Sequence, residues 1–222
     1  MTKNAAALTL LVAMSLVCMN GALADTIIYD NGGPDYAAGI ASDADLPQYV
    51  ADDFSLVAGS NVISDVHWWG VYAYDNTAVD DDFTISIYGK VLGAPAATAL
   101  YTVAVGAADR SDTGNNLNSG FDVYEYSADI APITLAADTT YYISITNDTA
   151  SLPQTWFWAT SAVDTGNNFF RPDPTATWGV DTWHLELAFN LTSGAPVPEP
   201  ASVALLGIGL AGLAFRRYRH RF

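Results

Sequence analysis

Two copies of one five-residue element, Asp-Thr-Gly-Asn-Asn at 112–116 and again at 164–168, are the first candidates for chemistry in this sequence. Asp109 and Ser111 precede the first copy. Oxygen-bearing side chains at alternating positions, with a glycine for a sharp turn, suit a hard cation such as Ca2+. The ligand set read from this pattern is Asp109, Asp112, Asn115, Asp164 and Asn167. Neither copy has the Asp-x-Asp-x-Asp-Gly order or the closing glutamate of an EF-hand loop. The same residue types also build ordinary turns. A structural Ca2+ and plain turn chemistry therefore both remain open. Asp80-Asp81-Asp82 is a further dense anionic point.

Catalytic patterns are scarce. Between the two chain ends the histidines are His67 and His184, each at a strand-like position that favours a structural role. There is no Gly-x-Ser-x-Gly elbow, no His-Glu-x-x-His, no P-loop and no Gly-x-Gly-x-x-Gly. With so many acids, any pair of carboxylates chosen for glycosidase-type chemistry is uninformative. The expectation is a protein that is not an enzyme.

The six tryptophans carry the other signal. Trp68 and Trp69 are neighbours on one apolar segment, so on a strand they point to opposite faces. Trp156 and Trp158 share a face, with Phe157 opposite. Trp178 and Trp183 fall in a stretch rich in Pro, Gly and Asp that reads as a loop. Exposed there, they would offer platforms for sugar rings; buried, they would be ordinary core.

The elements that must position these residues are strands. Phe83, Ile85 and Ile87 alternate with Thr84, Ser86 and Tyr88. Tyr141, Ile143 and Ile145 alternate with Tyr142, Ser144 and Thr146, and Leu185, Leu187, Phe189 and Leu191 alternate in the same way. A period of two places each apolar set on one face of a half-buried sheet. Further strands are expected at Thr26–Tyr29, Val50–Leu56, Val62–Tyr74, Leu100–Val105, Phe121–Ile130 and Thr155–Thr160. Loops of Asp, Asn, Gly and Pro separate them. The fold class is all-β: an antiparallel β-sandwich, with a jelly roll as one topology. Residues 25–192 form this domain, and 193–196 read as a linker.

Charge is distributed unevenly. Residues 25–196 hold 23 of the 24 acids but, among the basic residues, only Lys90, Arg110 and Arg171. Such a field repels nucleic acid and anionic membrane surfaces and attracts cations.

The two ends differ from the middle. Lys3, the apolar run 5–17 and Ala22-Leu23-Ala24 have the order of a signal peptide over 1–24, with cleavage between Ala24 and Asp25. Cys18, the one cysteine, would leave with it, so no disulfide or thiolate chemistry is expected in the mature protein. At the other end, Pro198-Glu199-Pro200 precedes an uncharged segment, Ala201–Phe215, and a basic cluster of Arg216, Arg217, Arg219 and Arg221. As a helix of ~1.5 Å per residue that segment reaches about 20–24 Å, short of a ~30 Å hydrocarbon core. Snorkelling arginines would cover part of the difference. The arginines favour the cytoplasmic side of an inner membrane, which leaves the middle outside.

This order of features resembles the PEP-CTERM sorting signal of Gram-negative bacteria, here over 197–222. The resemblance implies an exosortase as partner, a membrane-anchored precursor, and a mature protein at the cell surface or in the extracellular matrix. The middle is also similar to a common type of uncharacterised PEP-CTERM ectodomain, through Asp52-Asp53-Phe54, Trp68-Trp69-Gly70, Asp82-Phe83-Thr84-Ile85, Thr140–Ile145 and Leu187-Ala188-Phe189. The expected function is that of an exported, non-catalytic envelope or extracellular-matrix protein of the biofilm type. The alternative is a carbohydrate-binding module for exopolysaccharide, with Trp178 and Trp183 as contacts; an extracellular hydrolase ranks third.

Overall fold

The computed structural model describes residues 25–73, 80–149, 154–163, 166, 168–181 and 185–194. The strands are β1 (Thr26–Asp30), β2 (Pro34–Ala41), β3 (Tyr49–Ser55), β4 (Val62–Ala73), β5 (Phe83–Val91), β6 (Ala94–Pro95), β7 (Tyr101–Gly106), β8 (Asp109–Asn116), β9 (Asp122–Thr134), β10 (Thr140–Asn147), β11 (Thr155–Ser161), β12 (Phe169–Arg171), β13 (Gly179–Val180), β14 (Glu186–Leu187) and β15 (Phe189–Ser193). They belong to one compact unit, Thr26–Ser193. Among the described residues there is no helix long and apolar enough to cross a membrane. The signal peptide, the C-terminal apolar segment and the basic cluster lie outside the described residues.

Two antiparallel sheets result. One runs β1-β15-β4-β11-β14; β2 also pairs with β11, and β9 pairs with both β4 and β8. The other runs β13-β12-β3-β10-β5-β6, with β7 also on β5. The alternating segments take central places. Ile143 of β10 faces Ile87 of β5 across the ladder, and Ser144 faces Ser86. Every second residue of both strands therefore enters the core, and the hydroxyl-bearing residues between them share the outer face.

The core shows why two sheets are required. Phe83 comes from the second sheet and inserts its ring among three aromatics of the first. Its centroid lies 5.1 Å from Trp68, 5.0 Å from Tyr126 and 5.1 Å from Trp156, all in edge-on contact. Trp68 in turn stacks on Tyr126 at 5.6 Å. Neither sheet could bury these rings alone. The adjacent tryptophans part as strand geometry demands: Trp68 is fully buried here, while Trp69 packs on the opposite face against a smaller group around Val71, Leu117 and Val123. Gly70 follows them for a steric reason. An ideal Cβ at this position would stand 2.5 Å from Cε2 and Cζ2 of Trp156, so the indole lies directly on bare backbone.

One segment departs from expectation. Residues 109–116 read as a turn-rich loop, but they form β8, an edge strand. Asp109 pairs with Ser127, Arg110 with Tyr126, Ser111 with Glu125 and Asp112 with Tyr124, before an irregular step to Asn116 and Asp122. Nearly every residue of β8 is exposed on both faces, so no apolar alternation announces it. It is held by the β9 ladder and by Arg110, whose Nη1 donates to Asp81 Oδ2 at 2.9 Å and whose guanidinium lies over Tyr124. A charged edge also discourages pairing with another chain.

Candidate functional site

The outer face of the β3–β10–β5–β7 ladder carries the residues that make a cleft. Thr84, Ser86 and Tyr88 of β5 lie beside Ser144 and Thr146 of β10 and Thr102 of β7, and with Tyr49, Asp82, Asn147, Asp148 and Arg171 they line a pocket of about 350 Å³. That volume lies within the ~300–1,000 Å³ of small-ligand sites. Register explains the hydroxyl row: Thr146 opposes Thr84, Ser144 opposes Ser86, and Ser86 opposes Thr102. Tyr49 is held above the ordinary tyrosine range by burial and by the charge of Asp148.

Arg171 closes one wall. It ends β12, which pairs with β3 through Arg171 and Tyr49. The residue is buried, yet forms no ion pair among the described residues. Nη2 donates to Tyr88 Oη at 2.8 Å and Nη1 to the Ala97 carbonyl at 3.3 Å; Nε has no acceptor. Its guanidinium sits 4.2 Å over the ring of Trp178 and 5.3 Å from that of Tyr88. Trp178 is thus buried behind Arg171 rather than an open platform: it is 7% exposed, and its Nε1 donates to the Ala96 carbonyl at 3.2 Å. The glycine- and proline-rich segment brings the indole onto Arg171 because a desolvated cation gains from an aromatic face. Trp183 lies outside the described residues.

A second constellation joins β3 to β14. Asp52 and Glu186 are both buried. The Asn31 amide donates to Asp52 Oδ2 at 3.0 Å, to Glu186 Oε2 at 3.3 Å and to the Leu187 carbonyl at 2.9 Å. The Leu187 N–H adds a bond to Asp52 Oδ2 at 2.7 Å. Burial, then the neighbouring Glu186 charge, raise the Asp52 carboxyl well above its usual range despite these donors. Asp53 is raised by the same two causes, with Lys90 pulling the other way. Gly166, the glycine of the second Asp-Thr-Gly-Asn-Asn element, abuts this group: an ideal Cβ there would stand 2.8 Å from Asp53 Oδ1 and 3.1 Å from Glu186 Oε1.

Of the residues read from the repeat as Ca2+ ligands, three are described. Asp109, Asp112 and Asn115 are exposed along β8. Asp112 Oδ1 accepts the Gly114 N–H at 2.8 Å, and the Asn115 amide donates to the Thr113 carbonyl and Tyr36 Oη. Gly114 has φ +71°, so this copy behaves as a local turn within an edge strand. Asp164 and Asn167 lie outside the described residues. Among the described residues no three His, Cys, Asp or Glu side chains converge as a metal group. The dense point at 80–82 is dispersed: Asp81 accepts from Arg110 and Tyr72, while the Asp82 N–H donates to Asn147 Oδ1.

His67 is held through Asp65. Nε2 lies 2.6 Å from Asp65 Oδ2, and Nδ1 lies 4.0 Å from Glu125 Oε1. Thr192 Oγ1 also donates to Asp65, at 2.9 Å. Burial alone would raise the Asp65 carboxyl, but the bonds from His67 and Thr192 outweigh it and hold the group below its usual range. Asp65→Asn should therefore cost about 1–3 kcal/mol at neutral pH, by unpairing buried groups. A depressed carboxylate contributes stability above its unfolded pKa of ~3.9 and loses it as pH falls through the lower folded value. The difference between wild type and Asp65→Asn in urea unfolding should accordingly begin to shrink as pH falls below about 4. A difference that stays constant from pH 7 to pH 2.5 would contradict this.

Asp25 is exposed at the start of the described residues. Ala24, Pro198, Glu199, Pro200, Arg216, Arg217, Arg219 and Arg221 lie outside them. No curated protein matches the chain. Residues 196–219 match the family described as the PEP-CTERM protein-sorting motif, so this chain carries the sorting signal of an exported, membrane-anchored precursor processed by an exosortase.

Proposed function

We propose that this is a non-catalytic protein of the cell surface or extracellular polysaccharide matrix, delivered there by exosortase sorting, and that it binds polysaccharide in the pocket lined by β3, β5, β7, β10 and Arg171. The observation that carries the binding reading is the lining itself. A row of Ser and Thr hydroxyls, tyrosine edges and a buried guanidinium with an unused donor matches the hydroxyl-rich, flat chemistry of a sugar ring.

Affinity electrophoresis of the full chain through gels containing the producing organism's polysaccharide tests this reading. Retardation relative to polysaccharide-free gels is expected, and a mobility equal to that in polysaccharide-free gels would overturn the binding reading. Sorting has its own test. Mass spectrometry of the surface-located protein should show loss of most of the segment after Pro198-Glu199-Pro200. An intact C-terminus through Phe222 on that form would contradict it.

A further inference from the structure

A buried cation normally faces a counter-ion, because a desolvated charge without one is costly. Among the described residues Arg171 has none. Arg110 pairs with Asp81 and Lys90 is exposed, but Arg171 is 3% exposed and joins no ion pair. The carboxylates around it do not supply the missing charge. Asp173 Oδ1 accepts from Thr175 Oγ1 and from the Thr175 and Ala176 N–H groups. Asp82 and Asp148 line the same pocket as Arg171 but are exposed to water, which screens them. One guanidinium N–H goes to Tyr88 Oη and another to the Ala97 carbonyl, and Nε is left without an acceptor.

The surroundings of the guanidinium decide how an anion would meet it. The Trp178 ring covers one face at 4.2 Å, and the rings of Tyr88 and Tyr49 stand at 5.3 Å and 5.9 Å. Aromatic rings hold a cation in place without neutralising it. With a face covered, an anion meets the N–H edge, and that edge matches a planar carboxylate. The hydroxyls of Thr84, Ser86, Ser144 and Thr146 in the same pocket suit the rest of a sugar. Resting on the polysaccharide reading above, we propose that the unit bound in this pocket is an acidic sugar, a uronic acid whose carboxylate supplies the missing counter-ion of Arg171. The pair forms where water is largely excluded, so its attraction exceeds the repulsion from exposed Asp82 and Asp148. The other surface acids act through solvent, so they slow the approach of an acidic chain more than they weaken the bound pair.

The test is titration calorimetry of the full chain with oligosaccharides cut from the producing organism's polysaccharide, in about 0.15 M NaCl to screen the surface acids. The oligosaccharides are used untreated, carboxyl-reduced (each uronate carboxylate converted to a hydroxymethyl group) and desulfated. Carboxyl reduction should weaken binding at least tenfold, while the desulfated form should bind as the untreated form does. Arg171→Lys keeps the charge without the planar fork and should narrow the ratio between untreated and carboxyl-reduced forms. Equal binding of those two forms would overturn the acidic sugar and leave the polysaccharide reading standing. Loss of binding on desulfation alone would overturn it in the same way. No binding of any form would overturn both. An unchanged ratio in a folded Arg171→Lys would take the carboxylate away from this guanidinium; should that variant fail to fold, the wild-type comparison decides.

Discussion

Trp156→Ala should lose about 3–5 kcal/mol of folding stability, a large share of the ~5–15 kcal/mol available to an ordinary domain. The indole is fully buried, touches Phe83 edge-on at 5.1 Å, and covers the bare backbone at Gly70. Its removal opens a cavity where the two sheets interlock through aromatic rings, and β4 and β11 cannot collapse onto it without breaking their ladder. The expected readout is a lower urea midpoint with an unchanged slope. A companion substitution makes the test specific. Gly70→Ala alone forces a methyl into the indole and should cost about 1–3 kcal/mol by overpacking. Combined with Trp156→Ala, that methyl enters the space vacated by the indole, so the double mutant should be more stable than the sum of the two losses predicts. Strict additivity would mean that the ring does not lie where the structure puts it.

Arg171→Leu should abolish measurable polysaccharide retention. A hydrogen bond to a charged group is worth about 1.5–3 kcal/mol, or roughly tenfold to more than a hundredfold in affinity. The same guanidinium also ties β12 to β5 through Tyr88 and packs on Trp178, so Arg171→Leu will also reduce stability. Arg171→Lys separates the two effects. It keeps a charge at the wall but loses the planar fork and the stacked face. Its affinity should fall between those of wild type and Arg171→Leu at temperatures well below unfolding. Retention that survives Arg171→Leu in a folded protein would remove Arg171 from the binding site.

The centre of each sheet was legible because burial there is one-sided and the chain records it. Phe83, Ile85 and Ile87 with Thr84, Ser86 and Tyr88 spell out a core face and an outer face, and β10 repeats the pattern. Edges were not legible in the same way. Asp109–Asn116 contains the residues of a turn, yet the β9 ladder makes it a strand; exposure on both faces erased the period. Pro34–Ala41 was missed because its apolar residues are small and half-exposed. The pocket was hidden for another reason. Its hydroxyls look like an ordinary solvated face, and Arg171 reaches them only through the pairing of β12 with β3. One usable signal was present: Arg171 is one of three basic residues in an otherwise acidic stretch. The meeting of Asp53, Glu186 and Gly166 is a product of topology, and no spacing among 23 acids could single it out.

The most direct measurement on the central claim is the dissociation constant of an oligosaccharide cut from the producing organism's polysaccharide, for wild type and for Ser144→Tyr. Ser144 lies in the middle of the hydroxyl row, opposite Ser86, where a tyrosine ring would fill the cleft without touching the core face. The account predicts saturable binding by the wild type and at least a tenfold weaker constant for Ser144→Tyr, measured well below its melting temperature because Ser144 is buried. Equal constants for the two proteins, or no binding by the wild type, would contradict it.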